Sequence, residues 1–141
     1  MNYWDDDILM HSGIKGQKWG IRRYQNEDGS LTEAGKKRYY SLTTNYAKAK
    51  SKEDRYSAKS DKLKYKAGSF VSTFGSGNRS KKQLIKAAKL DHKALKQSNK
   101  ANKQKKRIEK LMKKTNMNLD QVYSQIQSDP VTYERLKMMF S

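Results

Sequence analysis

The sequence predicts an all-α fold, an elongated antiparallel helical hairpin of coiled-coil type with a short helical cap at its carboxyl end. Three observations lead there. The 141-residue chain contains one proline, Pro130, and is rich in Lys, Ala, Gln and Leu, a composition that favours helix. Tyr39, Leu42, Tyr46, Ala49, Glu53, Tyr56, Ser60, Leu63, Ala67 and Phe70 follow one another at alternating spacings of three and four, a heptad seam of about 50 Å. A second such seam, Ala87, Leu90, Ala94, Gln97, Ala101, Gln104, Ile108, Leu111 and Thr115, lies beyond a Gly/Ser-rich break.

Taken in order, the pieces are a Gly/Trp motif region (1–31), a first long helix (32–67), a Gly/Ser connector (68–80), a basic second helix (81–115) and a helical cap (116–141). Thr32 is the expected N-cap of the first helix, with Glu33 placed against the positive end of the helix dipole. Gly68, Gly75 and Gly77, together with several serines, break the pattern and allow the chain to reverse. Glu53, Ser60, Gln97 and Gln104 make both seams poorest at mid-length. In the cap, Asn118 and Gln121 form a capping box, and Leu119, Val122, Tyr123 and Ile126 share one face. Asp129 before Pro130 restarts a helix whose apolar patch is Val131, Leu136, Met139 and Phe140, and this tail is expected to pack on a hairpin end or a partner.

Leu, Ile, Val and Phe together number only 22, below the rough one-fifth of residues at which a highly charged chain starts to resemble a disordered one. A large core is not expected. The expectation is help from a partner or from self-association into a homo-oligomer, with partial disorder of the free chain left open. The absence of cysteine excludes disulfide scaffolds, thiolate metal sites and cysteine nucleophiles. No apolar run is long enough to span a membrane, and Asp5, Asp6 and Asp7 are unlike a secretory signal, so no membrane partner is expected.

The formal net charge is +18, concentrated in the middle of the chain. Residues 32–68 hold 11 basic and 4 acidic side chains and residues 81–114 hold 14 and 2, whereas both ends are nearly neutral. Lys81, Lys82, Lys86, Lys89, Lys93, Lys96, Lys100, Lys103, Lys106, Arg107, Lys110 and Lys113 are the candidate contacts to nucleic acid. They repel one another in an isolated helix, and phosphates relieve that repulsion. Arginine is scarce and Asn and Gln follow no recognition-helix pattern, so backbone binding without sequence preference is expected. Tyr39, Tyr40, Tyr46, Tyr56 and Tyr65 offer stacking surfaces but stand mostly at seam spacing.

The run from His11 to Tyr24, HSGIKGQKWGIRRY, is the most distinctive stretch of the chain. Its glycines permit close backbone approach, Trp19 is a stiff apolar anchor, and the surrounding cations suit carboxylates or phosphates. These are features of a docking peptide, with residues His11, Gly13, Lys15, Gly16, Trp19, Gly20, Arg22 and Arg23. The same residues also suit a small core capping the hairpin, formed by Trp19 with Trp4, Ile8, Leu9, Ile14, Ile21 and Leu31. The run resembles a segment, H-x-G-[IVM]-K-G-[QM]-[KR]-W-G-[IV]-R-R, that recurs in virion-associated proteins of tailed bacteriophages and prophages, often at the end of head-region proteins. The match is carried by His11, Gly13, Ile14, Lys15, Gly16, Gln17, Lys18, Trp19, Gly20, Ile21, Arg22 and Arg23. What the resemblance implies is a structural, head-associated role, with a phage head or other phage protein as partner and a location in the virion or, during infection, the host cytoplasm.

No catalytic or metal-ligating constellation emerges. Asp5, Asp6 and Asp7 with the distant His11 have no ligand spacing, and His92 lies among lysines. The glycines lack the strand context of a phosphate loop. The sequence therefore reads as that of a non-enzymatic structural protein without cofactors. The competing readings are a phage-encoded inhibitor of a host nucleoprotein, such as an RNA-guided nuclease, and a capsid assembly scaffold whose lysines meet an acidic capsid surface.

Overall fold

The computed structural model describes residues 23–75 and 77–141. Among these, the chain forms four helices, α1 (Glu33–Phe74), α2 (Asn78–Thr115), α3 (Leu119–Ile126) and α4 (Pro130–Phe140). α1 and α2 pack against each other as an antiparallel hairpin, α4 lies on α1, and α3 on α4. The helical hairpin with its terminal helical cap is thus the observed architecture.

Local chemistry sets the helix ends. The Thr32 hydroxyl accepts from the Gly35 N–H at 3.0 Å and donates to the Arg23 carbonyl at 2.7 Å, so one side chain caps α1 and ties down the preceding segment. Gly35 is required there because a Cβ would run into the Tyr24 carbonyl oxygen. The Asn118–Gln121 capping box at α3 and the Asp129 cap with Pro130 at α4 are both formed.

The connector is shorter than the expected 68–80. α1 continues through Gly68 to Phe74, and only residues 75–77 separate it from α2. Gly68 costs about 1 kcal/mol relative to alanine, but a helix already nucleated gains a hydrogen bond with each further residue. Within it, the Ser72 and Thr73 hydroxyls are satisfied by donating to the Ser69 carbonyl at 2.9 and 3.0 Å. The stop is Gly75, whose φ of +75° is left-handed and whose N–H bonds back to Val71.

The hydrophobic core is concentrated at the base of the hairpin, where the start of α1 meets the end of α2 and the two short helices. Tyr39 and Leu42 of α1, Ile108 and Leu111 of α2, Val122 and Ile126 of α3, and Leu136 and Met139 of α4 are buried together with Leu31. Val131, expected in that patch, is exposed. Leu136 and Met139 are buried as expected and Phe140 packs against the core, while Thr132 takes the place of Val131, so that Thr132, Leu136 and Met139 lie four and three apart on one buried face. Away from the base the fully buried seam residues are small, Ala49, Ser60 and Ala67 on α1 and Ser80, Ala87, Ala94 and Ala101 on α2.

Segment 23–32 is stitched to the same base. Gln25 donates to the Gly29 carbonyl at 2.9 Å and to the Thr115 carbonyl at the end of α2 at 3.0 Å, and Gln125 of α3 accepts from the Leu31 N–H at 3.3 Å.

Candidate nucleic-acid interface

Heptad letters locate the charges. On α2, Ser80, Ala87, Ala94, Ala101, Ile108 and Thr115 are the buried a positions, and Leu90, Gln97, Gln104 and Leu111 are d positions. The c and g positions that follow are Arg79, Lys82, Lys86, Lys89, Lys93, Lys96, Lys100, Lys103, Arg107, Lys110 and Lys114, eleven in succession, every one a cation and every one exposed. They form a row of about 52 Å along the helix. On α1, with Tyr39, Ser60 and Ala67 at a, the c and g positions include Arg38, Lys48, Lys52, Arg55, Lys59, Lys62 and Lys66, also all exposed.

The two rows lie on one side of the hairpin. In an antiparallel helix pair e positions meet e positions and g meets g. Lys64 and Asp91, both at e, form a 2.9 Å ion pair across the hairpin, which identifies the e edges as shared and leaves both c/g rows on the opposite edge. The acidic residues of the long helices are Glu33, Glu53, Asp54, Asp61, Asp91 and Glu109, and none of them occupies a c or g position.

The register aggravates the like-charge contact. The Ser60–Ala87 and Lys64–Asp91 contacts put Lys66 level with Lys86, Lys59 with Lys93, and Lys52 with Lys100. Coiled coils commonly place opposite charges at such edge positions, whereas here cation faces cation at these three successive g pairs.

The opposite edge is electrostatically satisfied. The Asp91 carboxyl is held below its ordinary range by the Ser60 hydroxyl first and the Lys64 ammonium second, and Asp91 in turn raises Lys64. The Ser60 hydroxyl lies between two acceptors, the Ala87 carbonyl at 3.1 Å and the Asp91 carboxylate, and its single hydrogen serves one at a time. α4 packs on this side as well. Arg135 donates to Thr44 at 2.8 Å, and the Lys105 ammonium sits 4.9 Å from the Phe140 ring centre. The cap therefore leaves the c/g face uncovered.

The sequence-derived lysine set divides accordingly. Lys82, Lys86, Lys89, Lys93, Lys96, Lys100, Lys103, Arg107 and Lys110 fall on the common face. Lys81, Lys106 and Lys113 are exposed but occupy b and f positions, turned away from it. Sequence reasoning missed Arg79, Lys114 and the α1 row as members, although the alternation of three and four among the cations themselves carries the signal. Of the tyrosines, Tyr39 is fully buried, Tyr46 and Tyr56 are half-buried, Tyr40 is partly exposed, and Tyr65 is 81% exposed.

His11, Gly13, Lys15, Gly16, Trp19, Gly20 and Arg22 of the docking motif lie outside the described residues, as do Trp4, Ile8, Leu9, Ile14 and Ile21. Arg23 is exposed at the base, its guanidinium 5.8 Å from the Tyr24 ring centre. Among the described residues there is no group of His, Cys, Asp and Glu able to hold a metal ion, and no helix long and apolar enough to cross a membrane.

No family model, curated protein or solved structure matches this chain.

Proposed function

We propose that this is a non-enzymatic, phage head-associated structural protein that binds nucleic acid through its backbone phosphates, using the two cationic rows, and docks to a head protein through the His11–Arg23 motif. The single observation that carries the nucleic-acid part is the shared g edge. Like charges held level across two packed helices destabilise the free protein, and a polyanion laid on that edge removes the repulsion and releases its own counterions. The scarcity of exposed aromatic side chains among the described residues and the preponderance of lysine favour phosphate contact over base reading. The virion context rests on the resemblance of the amino-terminal motif. In sequence, that motif immediately precedes segment 23–32, which is tied to the base of the hairpin through Gln25 and Leu31.

The test is a charge-matched comparison. Lys86→Gln/Lys93→Gln/Lys100→Gln removes three cations from the face, while Lys81→Gln/Lys106→Gln/Lys113→Gln removes three from outside it. Titrated against duplex DNA at several salt concentrations, the first variant is expected to lose about three from the magnitude of the salt slope, roughly one per phosphate contact. The second should stay near wild type. Equal losses in both would reject the face as the binding surface. Mass spectrometry of purified particles tests the location, and recovery in a host nucleoprotein complex instead would favour the inhibitor reading. A hairpin that ignores DNA but binds capsid protein in low salt would favour the scaffold reading.

A further inference from the structure

The side of the hairpin opposite the cationic face has the reverse character. From Leu84 to Asn102, the nine e, b and f positions of α2 include no Lys or Arg. Leu84, Ile85 and Leu95 stand there 48%, 58% and 58% exposed. On the facing part of α1, the two cations at e are both engaged by acids, Lys64 by Asp91 at 2.9 Å and by Asp61 at 3.9 Å, and Lys50 by Glu53 at 3.0 Å with Asp54 one turn on. α4 covers the basal part of this same side, around Tyr40, Thr44 and Lys105, and stops short of the Leu84–Leu95 stretch.

We propose that this neutral flank is a homodimer surface on which two hairpins meet back to back. Charge selects the occupant. An acidic partner is drawn to the c/g face, whereas a second copy of a chain with net charge +18 can approach closely only where the like charges are absent. The residues suit two-fold packing. With the α2 helices antiparallel, Leu84 of one protomer lies over Leu95 of its partner and the reverse, and the small Ala88 near the middle lets the helices close up. Leucines that each helix now exposes become covered on both protomers. The dimer turns both cationic faces outward, so that, given the nucleic-acid reading above, one particle bridges two strands or two duplex segments. The dimer itself does not depend on that reading.

Sedimentation equilibrium without nucleic acid, in salt high enough to screen the long-range repulsion, decides the matter. At ~100 µM the protein is expected near twice its 16.4 kDa mass, and Leu84→Lys/Leu95→Lys should weaken association at least about tenfold. Both leucines are exposed in the hairpin, so unchanged far-UV circular dichroism will show that the variant still folds. Because the chain has no cysteine, Ala88→Cys should cross-link between protomers on oxidation while Lys96→Cys, on the cationic face, should not. A monomer at every concentration overturns the proposal, as does a dimer that survives the double substitution or cross-links through Lys96→Cys. None of these results depends on DNA, so failure here leaves the salt-slope test of the cationic face intact.

Discussion

The Ser60 hydroxyl on α1 donates to the Ala87 carbonyl oxygen on α2 at 3.1 Å, a side-chain to main-chain bond across the hairpin. Such a bond requires the two helices to run close together, and the small buried residues Ala67, Ser80, Ala87 and Ala94 make that possible. Ala87→Leu inserts three carbons where there is no room for them. It is expected to destabilise the hairpin by about 1–3 kcal/mol, read as a lower urea midpoint with the m-value unchanged. Ser60→Ala, which removes the hydroxyl shared by the Ala87 carbonyl and the Asp91 carboxylate without adding bulk, should cost about 1 kcal/mol.

Tyr39 is fully buried in the basal core, and its hydroxyl has no hydrogen-bond partner among the described residues. Burial raises its ionisation well above the ordinary tyrosine range. An unpartnered buried hydroxyl costs about 1–3 kcal/mol that a phenyl ring of the same shape does not incur. Tyr39→Phe is therefore expected to leave stability unchanged or raise it, by up to about 1 kcal/mol. A measured loss of more than about 1 kcal/mol would show that the hydroxyl is partnered.

Asp129 caps α4 by accepting from the Val131 N–H at 3.2 Å and the Thr132 N–H at 3.3 Å, and the Thr132 hydroxyl also donates to it. These bonds, the Thr132 hydroxyl first, hold its carboxyl below the usual carboxylate range. A depressed folded value means that the contribution is complete above the unfolded value and disappears as pH falls through the folded one. Asp129→Ala should cost about 1 kcal/mol at neutral pH by thermal melting. The difference from wild type should close in acid, below the normal titration of aspartate.

Much of this architecture is legible in the residues, because a seam and a cap are local patterns. Tyr39, Leu42, Ala87, Ala94 and Ile108 are buried where three-and-four spacing puts them, and Thr32, Asn118 and Asp129 cap as their side chains allow. The connector misleads because glycine, serine and threonine in one stretch resemble a loop, whereas the Ser72 and Thr73 hydroxyls turn back onto a helix carbonyl. The cationic face is half legible. Each row can be traced along its own helix, but their alignment on one side follows from the Lys64–Asp91 pair, a contact between residues 27 apart in sequence. Lys105 shows the same limit, since only the placement of α4 brings it over Phe140.

The paired rows imply a conflict between stability and binding that a single charge reversal exposes. Lys93 stands level with Lys59 on the g edge, and both are exposed, so their repulsion is worth only a few tenths of a kcal/mol and is sensitive to salt. Lys93→Glu turns that repulsion into attraction toward Lys59 and toward its own-helix neighbours Lys89 and Lys96. The free protein should melt at a higher temperature, by about 0.3–1 kcal/mol of added stability at low salt, with the gain fading as salt is raised. The wild type, in contrast, should itself gain stability from added salt as the edge is screened. DNA affinity should move the other way, weakening at low salt because one contact is lost and a phosphate now meets a carboxylate. Differential scanning calorimetry and fluorescence anisotropy on the same variant measure both quantities. If Lys93→Glu destabilised the hairpin at low salt, the g edges would not be opposed as the register requires, and the shared cationic face would have to be abandoned.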